Sequence, residues 1–328
     1  MLYFMIALGV LLILYFYIKN NPKILKPTKE KIVVITGCDS GVGYAVANEA
    51  FKNGFTTVAG CLSLDSEGGQ ALHNLKDERI IVVKCDITQM QDVQNLHLKV
   101  SKLLENLDYS LYAIVSNSGV LVFGEFQWQT EEQLEHQVEV NTLGHIRVLK
   151  KFMPEIIYYK GRIITVSSTC GSWVLPGLSV YAASKSAAAA ICRGIRVETK
   201  RFGVKVININ PGEVADQTNI LSNQSRHGEK MKANVLPEDE EYFAYFQRHL
   251  VSNFKKQPCN AVNRSGVLKI INQALLDEEP KNDYTDATFI FKCLLMAYKL
   301  LPDEWADAFL RSLAKKQIGY DMELKKKL

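Results

Sequence analysis

The chain has 328 residues, 47% of them apolar, which is enough for one large α/β domain with a buried core. The net charge of +4 is small and many basic residues lie near the two ends, which argues against a nucleic-acid-binding protein, because such a protein needs a concentrated basic face. The seven cysteines are scattered without a C-x-x-C pair, so we expect buried, reduced thiols in a compartment such as the cytosol, with no disulfide framework and no metal site.

The N-terminus is the clearest break in composition. Residues 2–18 contain no charged and no strongly polar side chain, and this length reaches the lower limit for crossing a bilayer. No basic region precedes the segment and no small-x-small site precedes Lys19, which favours a transmembrane anchor over residues 1–19 rather than a cleaved signal peptide. Five lysines follow within residues 19–31 and none comes before, so the main domain is expected on the cytosolic side. Two prolines indicate a short linker over residues 20–30.

Beyond the linker, short apolar runs alternate with helical patterns. The runs expected to form strands are 32–36, 55–60, 80–84, 111–115, 161–167 and 204–209. The expected helices lie near 42–53, 89–107, 130–153 and 180–202. Fully apolar strands that alternate with helices are typical of a parallel sheet covered on both faces. Residues 31–328 are therefore predicted to form one doubly wound, Rossmann-like α/β domain with its ligand crevice at the carboxyl edge of the sheet.

A glycine-rich turn follows the first expected strand. Residues 36–43 read TGCDSGVG, and they open the first expected helix. Glycines in this position allow a tight turn and a close approach of the backbone to a pyrophosphate at the N-terminus of the helix. The spacing is G-x-x-x-G-x-G and not the more common G-x-G-x-x-G of dinucleotide sites.

A second group of residues carries acid–base chemistry. Ser168 ends an expected strand, and Tyr181 and Lys185 follow four residues apart on one helix face. A free phenol has a pKa of about 10, and an adjacent ammonium is expected to lower that pKa. Tyr181 can then exchange a proton with an alcohol or a ketone while hydride moves to or from nicotinamide, and Ser168 can hold the substrate oxygen.

These two motifs together resemble the short-chain dehydrogenase/reductase family over nearly the whole chain after the N-terminal segment. The resemblance implies an NAD(P) cofactor and a catalytic set of Ser168, Tyr181, Lys185 and Asn141, where the backbone of Asn141 holds a water that links Lys185 to solvent. It implies an adenine contact at Asp86, a turn beside the nicotinamide at Pro211-Gly212 and a hydroxyl for the carboxamide at Thr218. The full set of implied cofactor contacts is Thr36, Gly37, Asp39, Ser40, Gly41, Val42, Gly43, Leu62, Asp86, Ile87, Asn117, Ser118, Gly119, Tyr181, Lys185, Pro211, Gly212, Val214 and Thr218.

Two details refine the resemblance. The family's Asn-Asn-Ala-Gly motif reads Ser116-Asn117-Ser118-Gly119 here, and with Asn117 and Gly119 kept we expect cofactor binding to be retained. The glycine turn, the AGCL at 59–62 and the C-terminal layout are similar to the branch that contains retinol, 17β-hydroxysteroid and D-3-hydroxybutyrate dehydrogenases.

Charge indicates which cofactor is used. Leu62 stands where family members that use NADP often carry arginine, and Asp39 adds a negative charge in the glycine turn. The acid that commonly marks NAD users at the end of the second strand is Cys61 here. We expect NAD rather than NADP because no basic group is in place for a 2′-phosphate. NAD favours the oxidative direction.

Three functions stay open for this chain. The first is oxidation of a small hydrophobic alcohol such as a steroid or retinoid. The second is a small hydroxy-acid dehydrogenase, which needs a cationic clamp for which Lys160, Arg193 and Arg248 are candidates. The third is a non-enzymatic NAD(H)-sensing scaffold, against which the intact Ser-Tyr-Lys-Asn set argues.

The C-terminal third has fewer markers. Residues 213–258 fall where the family keeps its substrate lid, and the aromatic cluster in 242–246 can either close over a substrate or pack on the sheet. The apolar helical region 287–315 can be a core helix or a helix that rests on a membrane. The lysines at 325–327 form either a solvated tail or a sequence that resembles a dilysine retrieval signal, which favours the endoplasmic reticulum over mitochondria. A homodimer also stays open.

Overall fold

The computed structural model describes residues 23–212, 214–253, 255–262 and 266–318, which form one parallel seven-stranded sheet in the order β3-β2-β1-β4-β5-β6-β7. The strands are β1 (Lys31–Thr36), β2 (Thr56–Cys61), β3 (Ile80–Lys84), β4 (Ser110–Ser116), β5 (Arg162–Val166), β6 (Lys205–Asn210) and β7 (Asp283–Thr285). The six predicted strands and the Rossmann-like class are confirmed. The short β7 was not predicted, because only its central residue, Tyr284, is buried.

Helices cover both faces of the sheet. They are α1 (Gly41–Lys52), α2 (Glu67–His73), α3 (Met90–Leu104), α4 (Glu131–Val138), α5 (His145–Tyr158), α6 (Ser179–Thr199), α7 (Gln224–Met231), α8 (Glu240–Asn253), α9 (Gly266–Leu276), α10 (Phe289–Tyr298) and α11 (Asp303–Ile318). A π-helical turn over Glu139–Gly144 joins α4 to α5, within the region expected to be one helix. Turns of this kind are frequent at functional sites.

The strand side chains alternate between two cores. Val33 and Ile35 of β1 pack into a core with α1, α2 and α9. Ile32 and Val34 point to the opposite face, into a core with α3, α5 and α6. This period of two with both faces buried explains why the strands are continuous apolar runs in the sequence. A third apolar cluster lies beyond the carboxyl edge and includes residues of α8 and α11.

A buried arginine closes the amino edge of the sheet. Arg162, at the start of β5, is 3% exposed. Its guanidinium donates to the carbonyl oxygens of Ala274, Leu275 and Asp277 at 2.6, 3.0 and 3.0 Å. The last carbonyls of a helix lack intrahelical partners. Arg162 therefore caps α9 and holds its end against the sheet.

The chain enters the domain at this same place. The Leu25 amide donates to the Leu276 carbonyl at 2.7 Å, and the Glu278 amide donates to the Lys23 carbonyl at 2.8 Å. The part of the expected linker that is described here is thus fastened to the end of α9. The expected anchor over residues 1–19 lies outside the described residues, and within the described ranges no helix is both long and apolar enough to span a bilayer.

Candidate active site

A cavity of about 820 Å³ lies at the carboxyl edge of the sheet. It is bordered by the glycine turn, the ends of five strands, the start of α6, the segment 214–221 and one residue of α10. Carboxyl ends of parallel strands meet at one edge, so residues far apart in sequence converge there. All the predicted site residues line this cavity except Thr36 and Asn141.

The glycine turn needs its glycines. Gly37 and Gly41 have φ angles of +74° and +59°, which side chains disfavour. A Cβ added at Gly43 would lie 2.1 Å from the carbonyl oxygen of Gly37. The turn therefore brings bare backbone to the N-terminus of α1, where no acidic side chain lies in the first turn. Such a helix end attracts a phosphate or pyrophosphate.

Asp39 extends from this turn to the end of β2. Its carboxylate accepts hydrogen bonds from the amides of Leu62 and Ser63, both at 2.9 Å. Two backbone donors that could otherwise bind an anion are thus occupied by a fixed negative charge. The Leu62 side chain beside them is 59% exposed and lines the cavity.

The two predicted residues outside the lining support its wall from behind. Thr36 Oγ1 accepts from the amides of Asn117 and Ser118 at 3.1 and 3.3 Å. Asn141, in the π-helical turn, accepts from the Val120 amide at 2.9 Å and donates to the Val120 carbonyl at 2.8 Å. Residues 117–120 are therefore held at both ends by side chains that do not reach the cavity.

The three predicted catalytic residues come together at the middle of the cavity. Tyr181 is 6% exposed and shares a hydrogen bond with the side chain of Ser168. Lys185 Nζ donates to the Val166 carbonyl at 3.1 Å and lies 5.9 Å from the centroid of the Tyr181 ring. The helical spacing thus places the ammonium beside the phenol, as expected.

Burial controls the pKa values of this pair. Burial raises the pKa of Tyr181 above its usual value, the neighbouring Cys170 thiol adds to the rise, and the hydrogen bond with Ser168 opposes it. Burial lowers the pKa of Lys185 to about 8. In the chain by itself burial thus moves the Tyr181 pKa in the direction opposite to the one expected from Lys185.

Beyond Tyr181 the cavity becomes apolar. Its walls there are Leu121, Phe123, Trp173, Leu175, Leu178, Ile220, Leu221 and Phe291. Sequence reasoning missed these residues, because they come from four distant segments with no shared spacing. Three of them lay in regions singled out above: Ile220 and Leu221 in the expected lid, and Phe291 in the apolar C-terminal stretch.

The candidates for a carboxylate clamp lie elsewhere. Lys160 packs beside Gly203, Arg193 is exposed on α6, and Arg248 borders a separate groove between α7 and α8. Among the described lining residues the only lysine or arginine is Lys185. None of the three candidates that the hydroxy-acid alternative requires lines the described cavity.

The aromatic cluster of α8 does not line the cavity either. Tyr242, Phe243 and Phe246 are buried and pack around Trp128, with ring centroids 5.2 to 5.8 Å apart. The sequence left two roles open for this cluster, closing over a substrate or packing on the sheet. The structure shows packing, and the rings pack against Trp128 rather than against the sheet. From α8 it is His249 that reaches the cavity lining.

The cavity suits a dinucleotide cofactor. Thr218 Oγ1 is buried at its wall and has no hydrogen-bond partner among the described residues. A Cβ on Gly41 would approach Thr218 Cγ2 to 3.2 Å, so this hydroxyl-bearing side chain sits next to the glycine turn. The glycine turn, which has no side chains in the way of a phosphate, and the unpaired Thr218 hydroxyl beside it match two cofactor contacts that the family resemblance implies.

Comparison with known proteins settles the family. The model of the short chain dehydrogenase family matches residues 31–228, from the first strand through most of α7. The chain belongs to the short-chain dehydrogenase family. It is therefore an oxidoreductase of a fold that binds NAD(P), and the resemblance drawn from the glycine turn and the Ser-Tyr-Lys set is confirmed.

Relatives of this short-chain dehydrogenase include members of all three types in the expected branch. Estradiol 17-beta-dehydrogenase 2 of Rattus norvegicus is 32% identical over 74% of this chain, which spans 60% of that relative's length. Mitochondrial D-beta-hydroxybutyrate dehydrogenase of Bos taurus is 30% identical, over 79% of this chain and 77% of the relative. Retinol dehydrogenase 16 of Mus musculus is 28% identical, over 94% of this chain and 96% of the relative.

A solved structure shares the fold. The alcohol dehydrogenase of the archaeon Thermococcus sibiricus, complexed with 5-hydroxy-NADP, superimposes with a TM-score of 0.57 at 22% identity. The match covers 78% of this chain and 95% of that one.

Proposed function

We propose that this short-chain dehydrogenase oxidises a hydrophobic secondary or allylic alcohol, of the steroid or retinoid class, with NAD as hydride acceptor. The observation that supports the proposal most is that one cavity joins the glycine turn, the predicted catalytic residues and an apolar compartment. It runs from the glycine turn, past Ser168 and Tyr181, into a compartment walled by leucines and aromatic rings. The printed names of two relatives, an estradiol and a retinol dehydrogenase, agree with a substrate of that kind.

The chemistry assigned to the chain is proton transfer at one oxygen. Ser168 Oγ donates a hydrogen bond to the substrate oxygen, and Tyr181, as the phenolate, accepts the proton of the alcohol. When bound, the nicotinamide would supply the acceptor for the hydride of the carbinol carbon, so that the alcohol becomes a carbonyl. Tyr181 must first lose its own proton. Lys185 Nζ lies 5.9 Å from the centroid of the Tyr181 ring, and its positive charge is assigned to stabilise the phenolate that remains.

The preference for NAD rests on Asp39. Its carboxylate occupies the two amides at the end of β2, and Asp86 adds a second acid to the lining. A 2′-phosphate there would meet a carboxylate in place of a cation, which is unfavourable. NADP, whose analogue occupies the Thermococcus structure, is therefore the less favoured cofactor.

The hydroxy-acid alternative has less support. The bovine relative is named for D-beta-hydroxybutyrate, whose carboxylate needs a cationic partner. Within the described lining Lys185 is the only lysine or arginine, and it is already assigned to Tyr181. An apolar compartment favours a substrate without charge.

The proposal also includes a lid and a membrane position. Ala215, Ile220 and Leu221 line the substrate compartment together with His249, which supports a lid over residues 213–258. The outer face of α10 exposes Phe289, Ile290 and Met296 by 80%, 72% and 72%. With Lys292 on the same helix and Lys299 directly after it, this face is suited to the headgroup region of a bilayer.

We infer that the catalytic domain lies on the cytosolic side of the endoplasmic reticulum, held by residues 1–19 and touched by α10. The apolar segment and the lysines after it support this placement. A homodimer is compatible with it.

A substrate panel tests the function. Membranes that contain the full chain are assayed with steroid, retinoid and 3-hydroxy-acid substrates, each with NAD and with NADP. We expect NAD-dependent oxidation of one of the apolar classes and no turnover by Tyr181→Phe membranes. Turnover confined to the hydroxy acids would overturn the proposed substrate class.

The contact between α10 and the bilayer can be read from the chain's own fluorescence. Of the three tryptophans, Trp128 and Trp173 are buried, while Trp305, in the first turn of α11, is 68% exposed. We expect bilayers of brominated phosphatidylcholine to quench the full chain, and Trp305→Phe to remove that quenching. Equal emission with and without bromine would exclude the contact.

The orientation has its own test. Asn223-Gln224-Ser225 is a glycosylation sequon, and Asn223 is exposed at the start of α7. A cytosolic domain receives no glycan there. After expression in cells with endoplasmic reticulum, we expect no change in mobility on glycosidase digestion, and full protease access in intact microsomes. A glycan lost in Asn223→Gln would place the domain in the lumen.

A further inference from the structure

A buried histidine stands behind the motif in which this chain departs from its family. Ser116 and Ser118 replace the first asparagine and the alanine of Asn-Asn-Ala-Gly, at the exit of β4. His145, the first residue of α5, is 2% exposed. Its Nδ1 lies 3.0 Å from Ser116 Oγ and its Nε2 lies 2.7 Å from the Ser118 carbonyl oxygen. The hydroxyl that replaces an asparagine side chain at 116 and the backbone carbonyl of residue 118 therefore meet the same imidazole.

The two contacts fix the tautomer of the ring. A carbonyl oxygen only accepts, so Nε2 carries the proton and donates to Ser118. In the neutral ring Nδ1 then accepts from the Ser116 hydroxyl. Burial, with a smaller contribution from the charge of Lys185, lowers the pKa of His145 to about 4. The ring is neutral at physiological pH, and both of its nitrogens are used.

The carbonyl that His145 holds belongs to the cavity wall opposite Lys185. Gly119 follows Ser118, and a Cβ added there would lie 3.1 Å from Lys185 Nζ. Val120, the next residue, is held by Asn141. Asn141 and His145 are four residues apart around the π-helical turn, so this one stretch of chain holds the wall on both sides of Gly119.

We propose that His145 is a positioning residue which, paired with Ser116, holds the Ser118 carbonyl and thereby sets the Gly119 wall of the cofactor site beside Lys185. A serine at 116 leaves room for the imidazole and supplies the hydroxyl that completes its hydrogen bonding. Ser116 and His145 act as one unit in this chain. The inference rests on the proposed use of a nicotinamide cofactor at this cavity, but not on the identity of the substrate.

Three variants separate hydrogen bonding from packing. His145→Gln can place an amide N–H where Nε2 lies, His145→Asn can reach only the Nδ1 position, and His145→Leu fills the space without either bond. The readout is the dissociation constant of NADH for the full chain, by fluorescence titration at a temperature where each variant is folded. We expect His145→Gln to bind within about threefold of wild type and the other two to bind about tenfold more weakly, which matches the loss of one buried hydrogen bond.

A second histidine of the same helical layer is the matched control. His97 Nε2 lies 2.7 Å from Glu155 on the side of α3 that packs on α5, and His97 does not line the cavity. His97→Leu should lower the melting temperature and leave NADH affinity within about twofold of wild type, because it breaks a hydrogen bond of similar kind away from the cofactor. Ser116→Ala combined with His145→Leu should bind NADH no more weakly than His145→Leu by itself.

Two results would overturn the proposal. One is NADH binding by His145→Leu that equals wild type. The other is a His145→Gln variant as weak as His145→Leu, since packing would then explain the loss. Neither measurement needs turnover, so failure of every alcohol in the substrate panel would reject the proposed substrate and leave this test standing.

Discussion

The two halves of the cavity are built in different ways. The cofactor half is mainly backbone: a glycine turn, strand ends and short polar residues that hold neighbouring peptide groups, as Asp39 and Thr36 do. The substrate half is mainly side chain, with large apolar groups that converge from beyond β4, from the segment before α6, from 214–221 and from α10. The first half recognises a constant ligand by fixed geometry. The second adapts to a substrate by the size and placement of individual rings.

The largest effect should come from the residue at the boundary of the halves. Tyr181→Phe removes the hydroxyl to which we assign the proton transfer, so turnover should fall by at least about a thousandfold, within the range for acid–base catalysis. NADH affinity should not change. Tyr112→Phe is the control, because its hydroxyl bonds the Leu275 carbonyl at the amino edge and its loss should affect only stability. Near-normal turnover by Tyr181→Phe on any wild-type substrate would refute the assignment.

Removing an aromatic ring of the substrate half should weaken the binding of the alcohol and leave the binding of NAD unchanged. Phe291 lines the cavity and packs on Trp173 with centroids 4.7 Å apart. Phe291→Ala should raise KM for the apolar alcohol about tenfold, since an apolar side chain contributes about 1.5–3 kcal/mol when buried. KM for NAD should stay constant. Phe289→Ala, two residues earlier and 80% exposed, should leave both constants unchanged in detergent. An equal rise in both KM values for Phe291→Ala would abolish the distinction between the halves.

A cation introduced into the cofactor half should change the preference between NAD and NADP and leave the substrate preference unchanged. Leu62→Arg places a guanidinium beside the end of β2, where it can pair with a 2′-phosphate, and kcat/KM for NADP should rise about tenfold. Leu64→Arg is the matched control, because Leu64 is exposed but does not line the cavity. A wild-type enzyme already at least about tenfold better with NADP would remove the basis of this prediction.

The smallest effect concerns pH and stability. His145 has a pKa of about 4 in the folded chain against 6.5 for the free group, so between these values the unfolded chain binds more protons and acid favours unfolding. This contribution is fully present above about pH 6.5 and is lost as pH falls toward 4, and about 1.4 kcal/mol of it is lost by pH 5.5. Lys185 is the charged group that faces His145. Melting curves should show a flatter acid limb for His145→Gln, and identical limbs would remove His145 as the source.

The difference between the halves also explains what the sequence could predict. The six long strands were predictable because β-branched and apolar residues fill them, and the glycine turn because backbone geometry requires glycine at fixed spacing. Helix α2 was missed because Gly68 and Gly69 lie in its first turn, where they weaken the helical pattern. The π-helical turn has no sequence marker of its own.

The substrate half could not be predicted for a different reason. Whether a leucine or an aromatic ring lines a cavity or fills a core depends on packing between distant segments, and the residue type is the same in both cases. The α8 rings illustrate this, since they looked suited to a substrate and pack on Trp128 instead. His145 was missed because a lone histidine on a helix is no signal until its partners at the exit of β4 are known.

The place where the chain enters the domain has a consequence for the orientation of the domain on a bilayer. Lys23 and Leu25 are bonded at the amino edge of the sheet, whereas α10 lies at the carboxyl edge, one strand length or about 20 Å away. If the N-terminal segment and α10 contact one membrane, the strands must run along its surface and cannot stand upright on it. The cavity, which has Phe291 of α10 in its lining, would then lie close to the headgroups. With the proposed apolar alcohol as substrate, this arrangement would shorten the path from the leaflet to the cavity.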